Sequence, residues 1–163
     1  MLRRNDKKLA EISMPLFMVN GCDDPAYPMT SWLKTFRDAH PMAAFLSPTL
    51  RHGHNDGDIP ESIRFARAFC DLATKPPVFS NYKTEEGVIS VNFEGGKAPY
   101  VASLVYTTQD YSGTQREWRS LPVAIEGNHI SANLPEGTVY AFLNLTDAEG
   151  TVSALVSEAT ISG

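Results

Sequence analysis

The first apolar segment of the chain lies in residues 15–24, which read Pro-Leu-Phe-Met-Val-Asn-Gly-Cys-Asp-Asp. Pro15 and Asn20-Gly21 bound a continuous apolar run at residues 16–19. A short apolar run between turn residues favours a strand buried on both faces, as in a parallel sheet. A second run of the same kind, Ala-Ala-Phe-Leu at residues 43–46, predicts a second such strand.

Each predicted strand is followed by a segment with helical spacing. Thr30 and Ser31 can cap a helix that carries Trp32, Leu33 and Phe36 on one face. Pro60 stands where proline is tolerated, in the first turn of a second helix. The apolar face predicted for this helix consists of Ile63, Phe65, Ala66, Phe69, Cys70 and Leu72. The order strand–helix–strand–helix indicates a piece of an α/β sheet.

The pattern changes near residue 75, where Lys75-Pro76-Pro77 predicts a short, stiff linker. Beyond it, glycine-containing turns separate short segments that alternate in polarity, which is typical of an antiparallel sandwich. The seven predicted strands are residues 78–81, 88–93, 100–107, 118–125, 129–132, 139–145 and 151–156. The expected fold class is therefore α/β followed by all-β, with one domain at residues 1–74 and a second at residues 75–163.

Composition limits the classes of function. The 163 residues are 42% hydrophobic and 20% charged, which is typical of a globular chain. The net charge of −5 and the lack of a long basic stretch argue against a nucleic-acid partner. The longest apolar run is too short to cross a membrane, so no membrane partner is expected. No signal peptide is visible, and the compartment stays open, with a secreted or periplasmic location compatible with the intact protein.

Polar and titratable side chains are concentrated in two loops, residues 20–28 and residues 51–58. Each loop directly follows one of the two predicted parallel strands, so both lie at the edge of the sheet where open α/β folds place ligands. An aspartate at one strand end can then reach a histidine at the next. Such an aspartate orients the imidazole and stabilises its protonated form during acyl transfer.

These residues resemble the C-terminal part of an α/β-hydrolase, of the acetylxylan-esterase-like and prolyl-oligopeptidase-like serine hydrolase type. The resemblance covers about residues 12–72 and rests on residues 14–24, Tyr27-Pro28, His52-Gly53-His54 and Pro60-Glu61. It implies that Asp24 is the acid and His52 the base of a Ser-His-Asp triad. Residues 134–140 resemble the corner of an immunoglobulin-like or fibronectin-like module. The whole sandwich, which ends with residues 143–147, resembles a C-terminal module attached to some of these enzymes. No cofactor is implied.

The chain departs from this family in one respect, because it contains no G-x-S-x-G nucleophile motif. In these hydrolases the serine precedes the acid and the base along the chain. We therefore expect a C-terminal fragment that is inactive alone. The expected partners are an ester or polysaccharide substrate in the intact enzyme and the missing N-terminal hydrolase portion. A second copy of the chain, paired through the exposed strand edge, is the alternative partner.

Other assignments of the same loops stay open. Asp23 is the alternate acid, although loop hydrogen bonding is its expected role, and His54 is the alternate base. His52, His54 and Asp56 also match the H-x-H-x-D opening of metallo-β-lactamase-like sites. Gly57 replaces the next histidine of that motif, and the only later histidine, His129, falls in a predicted strand. We therefore expect no metal.

Two other functions are compatible with the sequence. A peptidase of the same hydrolase type would use the same acid and base. A non-catalytic module that binds carbohydrate or protein would use aromatic side chains of the sandwich, since aromatic rings stack on sugars. The aromatic residues available are Tyr100, Tyr106, Tyr111 and Trp118. Aromatic side chains also fill β-sheet cores, and core packing is the default expectation for these four.

Overall fold

The computed structural model describes residue 8 and residues 11–53, 59–110 and 116–154. These residues form a β-rich structure of two four-stranded antiparallel sheets, joined to a two-stranded parallel sheet and two helices. In this part of the chain no helix has the length and apolar character needed to cross a bilayer.

The N-terminal segment follows the predicted order of elements. Strand β1 (Phe17–Gly21) is followed by helix α1 (Met29–Ala39), strand β2 (Ala43–Ser47) and helix α2 (Pro60–Phe69). Strands β1 and β2 are parallel. The predicted cap of α1 is wrong: the helix begins directly after Pro28, and no side chain caps it. Thr30 and Ser31 lie inside its first turn, where their hydroxyls cannot take the capping position.

Within its described residues, the C-terminal segment contains eight strands where the sequence predicts seven. They are β3 (Val78–Glu85), β4 (Val88–Glu94), β5 (Val101–Thr107), β6 (Arg119–Val123), β7 (Ile125–Glu126), β8 (His129–Asn133), β9 (Tyr140–Asp147) and β10 (Gly150–Ala154). The orders are β10-β9-β5-β6 in one sheet and β3-β4-β8-β7 in the other. The predicted strand at 118–125 is divided because the chain crosses between the sheets after Val123.

The core of the sandwich follows the alternation of the sequence. In β4, Ile89, Val91 and Phe93 are buried, whereas the intervening residues are only partly buried. They pack on Leu104 and Leu145 of the facing sheet. This arrangement is the inward-facing and outward-facing pattern expected of an antiparallel sheet.

The N-terminal segment packs directly on the sandwich. Ala44 and Leu46 of β2 share an apolar cluster with Val105 and Phe142. The backbone N–H of Leu46 donates to Ser153 Oγ in β10 at 2.9 Å. The segment predicted as a linker is also buried at Pro76 and Pro77. The domain boundary at residue 74 stays a prediction, but the two segments share their apolar clusters.

Helix α2 does not bury the face that the sequence predicts. Arg64 and Ala68 are buried, whereas Ile63, Phe69 and Leu72 are 47%, 63% and 67% exposed. The reason is an ion pair: Arg64 Nη2 donates to Asp147 Oδ2 at 2.7 Å, which turns the Arg64 side of the helix towards the sandwich. Of the predicted apolar face, Phe65 stacks on Phe17 with ring centroids 4.8 Å apart.

Candidate functional site

The loops after β1 and β2 lie side by side. The N–H of Cys22 donates to the carbonyl of Ser47 at 3.0 Å, which extends the parallel pairing past the end of β1. Gly21 lies so close to Leu50 that a Cβ atom at this position would collide with the Leu50 carbonyl oxygen. Only glycine lets the two loops approach in this way. The close approach brings the segment with Asp24 to the segment with His52.

The Asp24 carboxylate is fixed by its own loop. Its Oδ1 accepts hydrogen bonds from the N–H groups of Ala26 at 2.8 Å and Tyr27 at 3.1 Å. This is an Asx turn, which aspartate favours because its side chain replaces a backbone acceptor. The side-chain amide of Asn20 donates to the carbonyl of Tyr27 at 3.0 Å and closes the loop. The orientation of the carboxylate is therefore set before any partner binds it.

His52 contacts this carboxylate. Its Nδ1 lies 3.1 Å from both Oδ1 and Oδ2 of Asp24. An Nδ1–H that donates to the carboxylate leaves the lone pair of the neutral ring on Nε2. The side chain of Asp24 is 9% exposed and that of His52 is 40% exposed. The acid is thus enclosed by protein, whereas the imidazole reaches solvent.

The environment of Asp24 favours its charged form. Burial on its own would raise the pKa of the carboxyl. The hydrogen bonds from His52 and from the two backbone N–H groups outweigh burial and hold the pKa of Asp24 below its ordinary value. Asp24 is therefore a carboxylate at neutral pH, as an orienting acid must be.

A cavity of about 740 Å³ opens beside the pair. It is lined by Asp24 and His52 together with Met18, Tyr27 and Trp32. The lining combines apolar side chains with the Asp24 carboxylate and the His52 imidazole. A small or medium-sized molecule can enter this cavity and meet the imidazole.

Asp23, the alternate acid, faces away from His52 and towards the sandwich. Its Oδ1 accepts from Arg116 Nη1 at 2.7 Å, and its Oδ2 accepts from Trp118 Nε1 at 3.1 Å. Both members of the ion pair are nearly buried. The sequence predicts that Asp23 hydrogen-bonds within its own loop, whereas these contacts join the loop to the sandwich segment, 93 and 95 positions later. The alternate base, His54, lies outside the described residues.

Arg116 was not among the residues that the sequence singled out. It meets Asp23 across 93 positions of the chain, and no local motif marks a contact over such a separation. For Trp118 the sequence predicts only a core or sugar-binding aromatic residue. Its ring does pack on Phe142 with centroids 5.8 Å apart, but its N–H donates to Asp23, in the loop that also carries Asp24.

The metal motif that the sequence offers as an alternative lies only partly within the described residues. Among the described residues, no group of three or more histidine, cysteine, aspartate or glutamate side chains is placed to hold a metal ion. His54 and Asp56 of the metal motif lie outside the described residues. His129 Nδ1 lies 2.7 Å from Asn92 Oδ1, within the sandwich sheet.

The aromatic residues of the sandwich are held mainly by packing. Tyr106 is buried in the core, and Tyr100 meets Phe93 edge to face with ring centroids 5.2 Å apart. Trp118 is partly buried, and Tyr111 lies outside the described residues. Carbohydrate binding by these aromatic residues stays a prediction.

Comparisons with known proteins place the chain in no family. No protein-family model matches its sequence, and no curated protein matches it significantly.

Proposed function

We propose that Asp24 and His52 are the acid and base of a serine-type ester hydrolase, of which this chain supplies the C-terminal part of an α/β-hydrolase sheet. The observation that carries the proposal is the 3.1 Å contact between His52 Nδ1 and both Asp24 oxygens, at the rim of a parallel strand pair and beside a cavity. The resemblance of residues 12–72 to acetylxylan-esterase-like hydrolases favours an ester, such as an acetyl group on a polysaccharide, as the substrate.

The proposed chemistry uses the two nitrogens of His52 differently. Nε2 removes the proton of a hydroxyl while the hydroxyl oxygen attacks the ester carbonyl. The same proton then passes from Nε2 to the departing alkoxide, so that an alcohol leaves and an acyl-enzyme forms. Water repeats the cycle and releases the acid. Throughout, the Asp24 carboxylate holds Nδ1–H and stabilises the imidazolium that forms between the two transfers.

The hydroxyl nucleophile comes from a polypeptide segment outside residues 1–163, because the sequence has no G-x-S-x-G motif. The outer edge of β1 offers a place for that segment. The carbonyl of Leu16 and the N–H of Cys22 both bond across to the β2 side. Since backbone groups alternate along a strand, those of Phe17 and Val19 point away from β2. A further strand can pair there and bring its own loop to the same rim.

A fluorophosphonate probe tests the proposal, because it forms a covalent bond only with a serine that a base has activated. The tagged chain is purified from its native cells with whatever polypeptide accompanies it, as wild type and as His52→Ala, and labelled peptides are sequenced. We expect a labelled serine on a polypeptide segment that is bound to the chain, and we expect the label to disappear in His52→Ala.

Two results would contradict the proposal. Labelling that is equal in wild type and His52→Ala would remove His52 from the chemistry. Labelling of Ser31, which lines the same cavity, would show that the nucleophile lies within this chain. Residues 1–163 purified alone are the control, and they should take up no label.

A further inference from the structure

The β-sandwich reaches into the loop that carries the proposed acid. Three donors of the sandwich segment converge on the Asp23 carboxylate, which directly precedes Asp24 in the chain. They are Arg116 Nη1 at 2.7 Å, the Arg116 backbone N–H at 3.1 Å and Trp118 Nε1 at 3.1 Å. Hydrogen bonds between charged groups are roughly twice as strong as neutral ones, and this pair is nearly buried.

The donors themselves are held firmly. The guanidinium of Arg116 lies over the ring of Tyr140, 5.0 Å from its centroid, at the start of β9. Its Nη1 also approaches the carbonyl of Cys22 at 3.5 Å. The ring of Trp118 packs on Phe142, which is fully buried. Arg116 and Trp118 are therefore anchored in the core that the sandwich shares with β2.

Asp23 and Asp24 belong to one tight turn, which couples their positions. The N–H of Asp24 bonds back to the carbonyl of Gly21 at 3.3 Å. The two carboxylates point in opposite directions, Asp23 towards the sandwich and Asp24 towards His52. The peptide plane between the two residues is rigid, so a shift of the Asp23 backbone displaces the Asp24 backbone as well. A displacement of about 1 Å in such a group costs about a hundredfold in rate.

We propose that Arg116 and Trp118 are positioning residues that hold the Asp23–Asp24 turn so that the Asp24 carboxylate meets His52 Nδ1. This inference rests on the proposed function of the Asp24–His52 pair. If Arg116 and Trp118 have this role, the sandwich segment contributes to the geometry of the site, because their side chains hold the loop that carries Asp24.

The test measures the Nδ1–H proton of His52 by NMR, which is a direct signature of the hydrogen bond to Asp24. The variants are Arg116→Lys, which keeps the charge but loses the fork of donors, and Trp118→Phe, which keeps the ring but loses its N–H. Both substitutions are conservative, so the fold should survive. We expect solvent exchange of the Nδ1 proton to accelerate about tenfold in the double variant, as the loss of about one hydrogen bond predicts.

The matched control is Arg119→Ala. Arg119 lies in the neighbouring strand β6, and its guanidinium bonds to Glu117 on the exposed surface. It should leave the exchange rate unchanged. An unchanged exchange rate in the Arg116→Lys/Trp118→Phe variant would overturn the positioning role.

The Asp24→Asn variant separates the two proposals. If Asp24→Asn leaves the Nδ1 proton unaffected, the Asp24–His52 pair itself fails, and the proposed function fails with it. If Asp24→Asn removes the signal but the Arg116 and Trp118 variants do not affect it, only the positioning role fails.

Discussion

Two aspartates of this molecule are held in the same way but paired with different partners. Asp24 accepts the N–H groups of the residues two and three positions later, and Asp147 does the same with Glu149 at 2.9 Å and Gly150 at 3.1 Å. Each carboxylate also binds a side chain of the N-terminal segment. For Asp147 that side chain is Arg64, which is 7% exposed, and for Asp24 it is His52, which is 40% exposed.

The difference shows how one turn geometry can serve two purposes. A guanidinium is permanently charged, so the buried Arg64–Asp147 pair exchanges no proton near neutral pH and ties α2 to the sandwich. An imidazole can act as a general base and a general acid, and His52 meets solvent and a cavity. The partner side chain and its exposure, rather than the aspartate, distinguish the buried structural contact from the contact that we propose to be catalytic.

The largest effect should follow from Arg64→Ala. It leaves the side chain of Asp147, which is fully buried, without its charged partner. Breaking a buried pair in this way costs about 3–5 kcal/mol in the free energy of unfolding. Urea denaturation followed by circular dichroism measures this cost.

The control for Arg64→Ala is Lys34→Ala, which breaks the partly solvated Lys34–Asp38 pair at 2.7 Å within α1. It should cost only about 0.3–0.5 kcal/mol. If the two variants lose similar stability, the Arg64–Asp147 pair is not the tie that the structure indicates.

A smaller effect is expected from acid. Burial would raise the pKa of Asp147, but the backbone N–H groups of Glu149 and Lys97 and the Arg64 side chain hold it below its ordinary value. A carboxyl with a lowered folded-state pKa adds stability that is complete above its unfolded pKa, about 3.9, and is lost as the pH falls through the folded value.

Thermal melting between pH 6 and pH 2 tests this expectation. Wild type should lose stability as the pH falls below about 4, and Asp147→Asn should show a flatter profile over the same range. A profile of Asp147→Asn as steep as that of wild type would assign the acid sensitivity to other carboxyls.

The smallest effect on stability should come from His52→Ala. Because the side chain of His52 is partly solvated, its pair with Asp24 should contribute about 1 kcal/mol or less. Under the proposed function, the same substitution should also abolish fluorophosphonate labelling of the proposed serine. Urea denaturation gives the stability, and a loss as large as that in Arg64→Ala would place His52 with the structural contacts.

The sequence predicted best where its patterns are local. The strands of the sandwich follow from alternating polarity, and glycine marks their turns, as at Gly87 and Gly127, which have positive φ angles. The contact of Asp24 with His52 followed from one topological rule, because the carboxyl ends of parallel strands lie at one edge of the sheet.

Prediction failed where a distant polar partner decides the structure. Arg64 in a helix is expected on the surface, but its burial is compensated by the ion pair with Asp147, 83 positions later. The same holds for Arg116 and Asp23. Hydrophobic periodicity predicts which face of a helix or strand is apolar. It does not predict which charged residues form ion pairs with partners distant in the sequence.

The hydrogen bond from Leu46 to Ser153 has a consequence for assembly. Ser153 accepts from Leu46 and donates to Asn144 Oδ1 at 2.7 Å, so a side chain closes the border of β2 where a strand would otherwise pair. The parallel sheet can then grow in one direction only, outward from β1. The sandwich thus covers the outer edge of β2, so β2 is the last strand of any larger parallel sheet built on this chain. The same cover protects this edge from edge-to-edge aggregation.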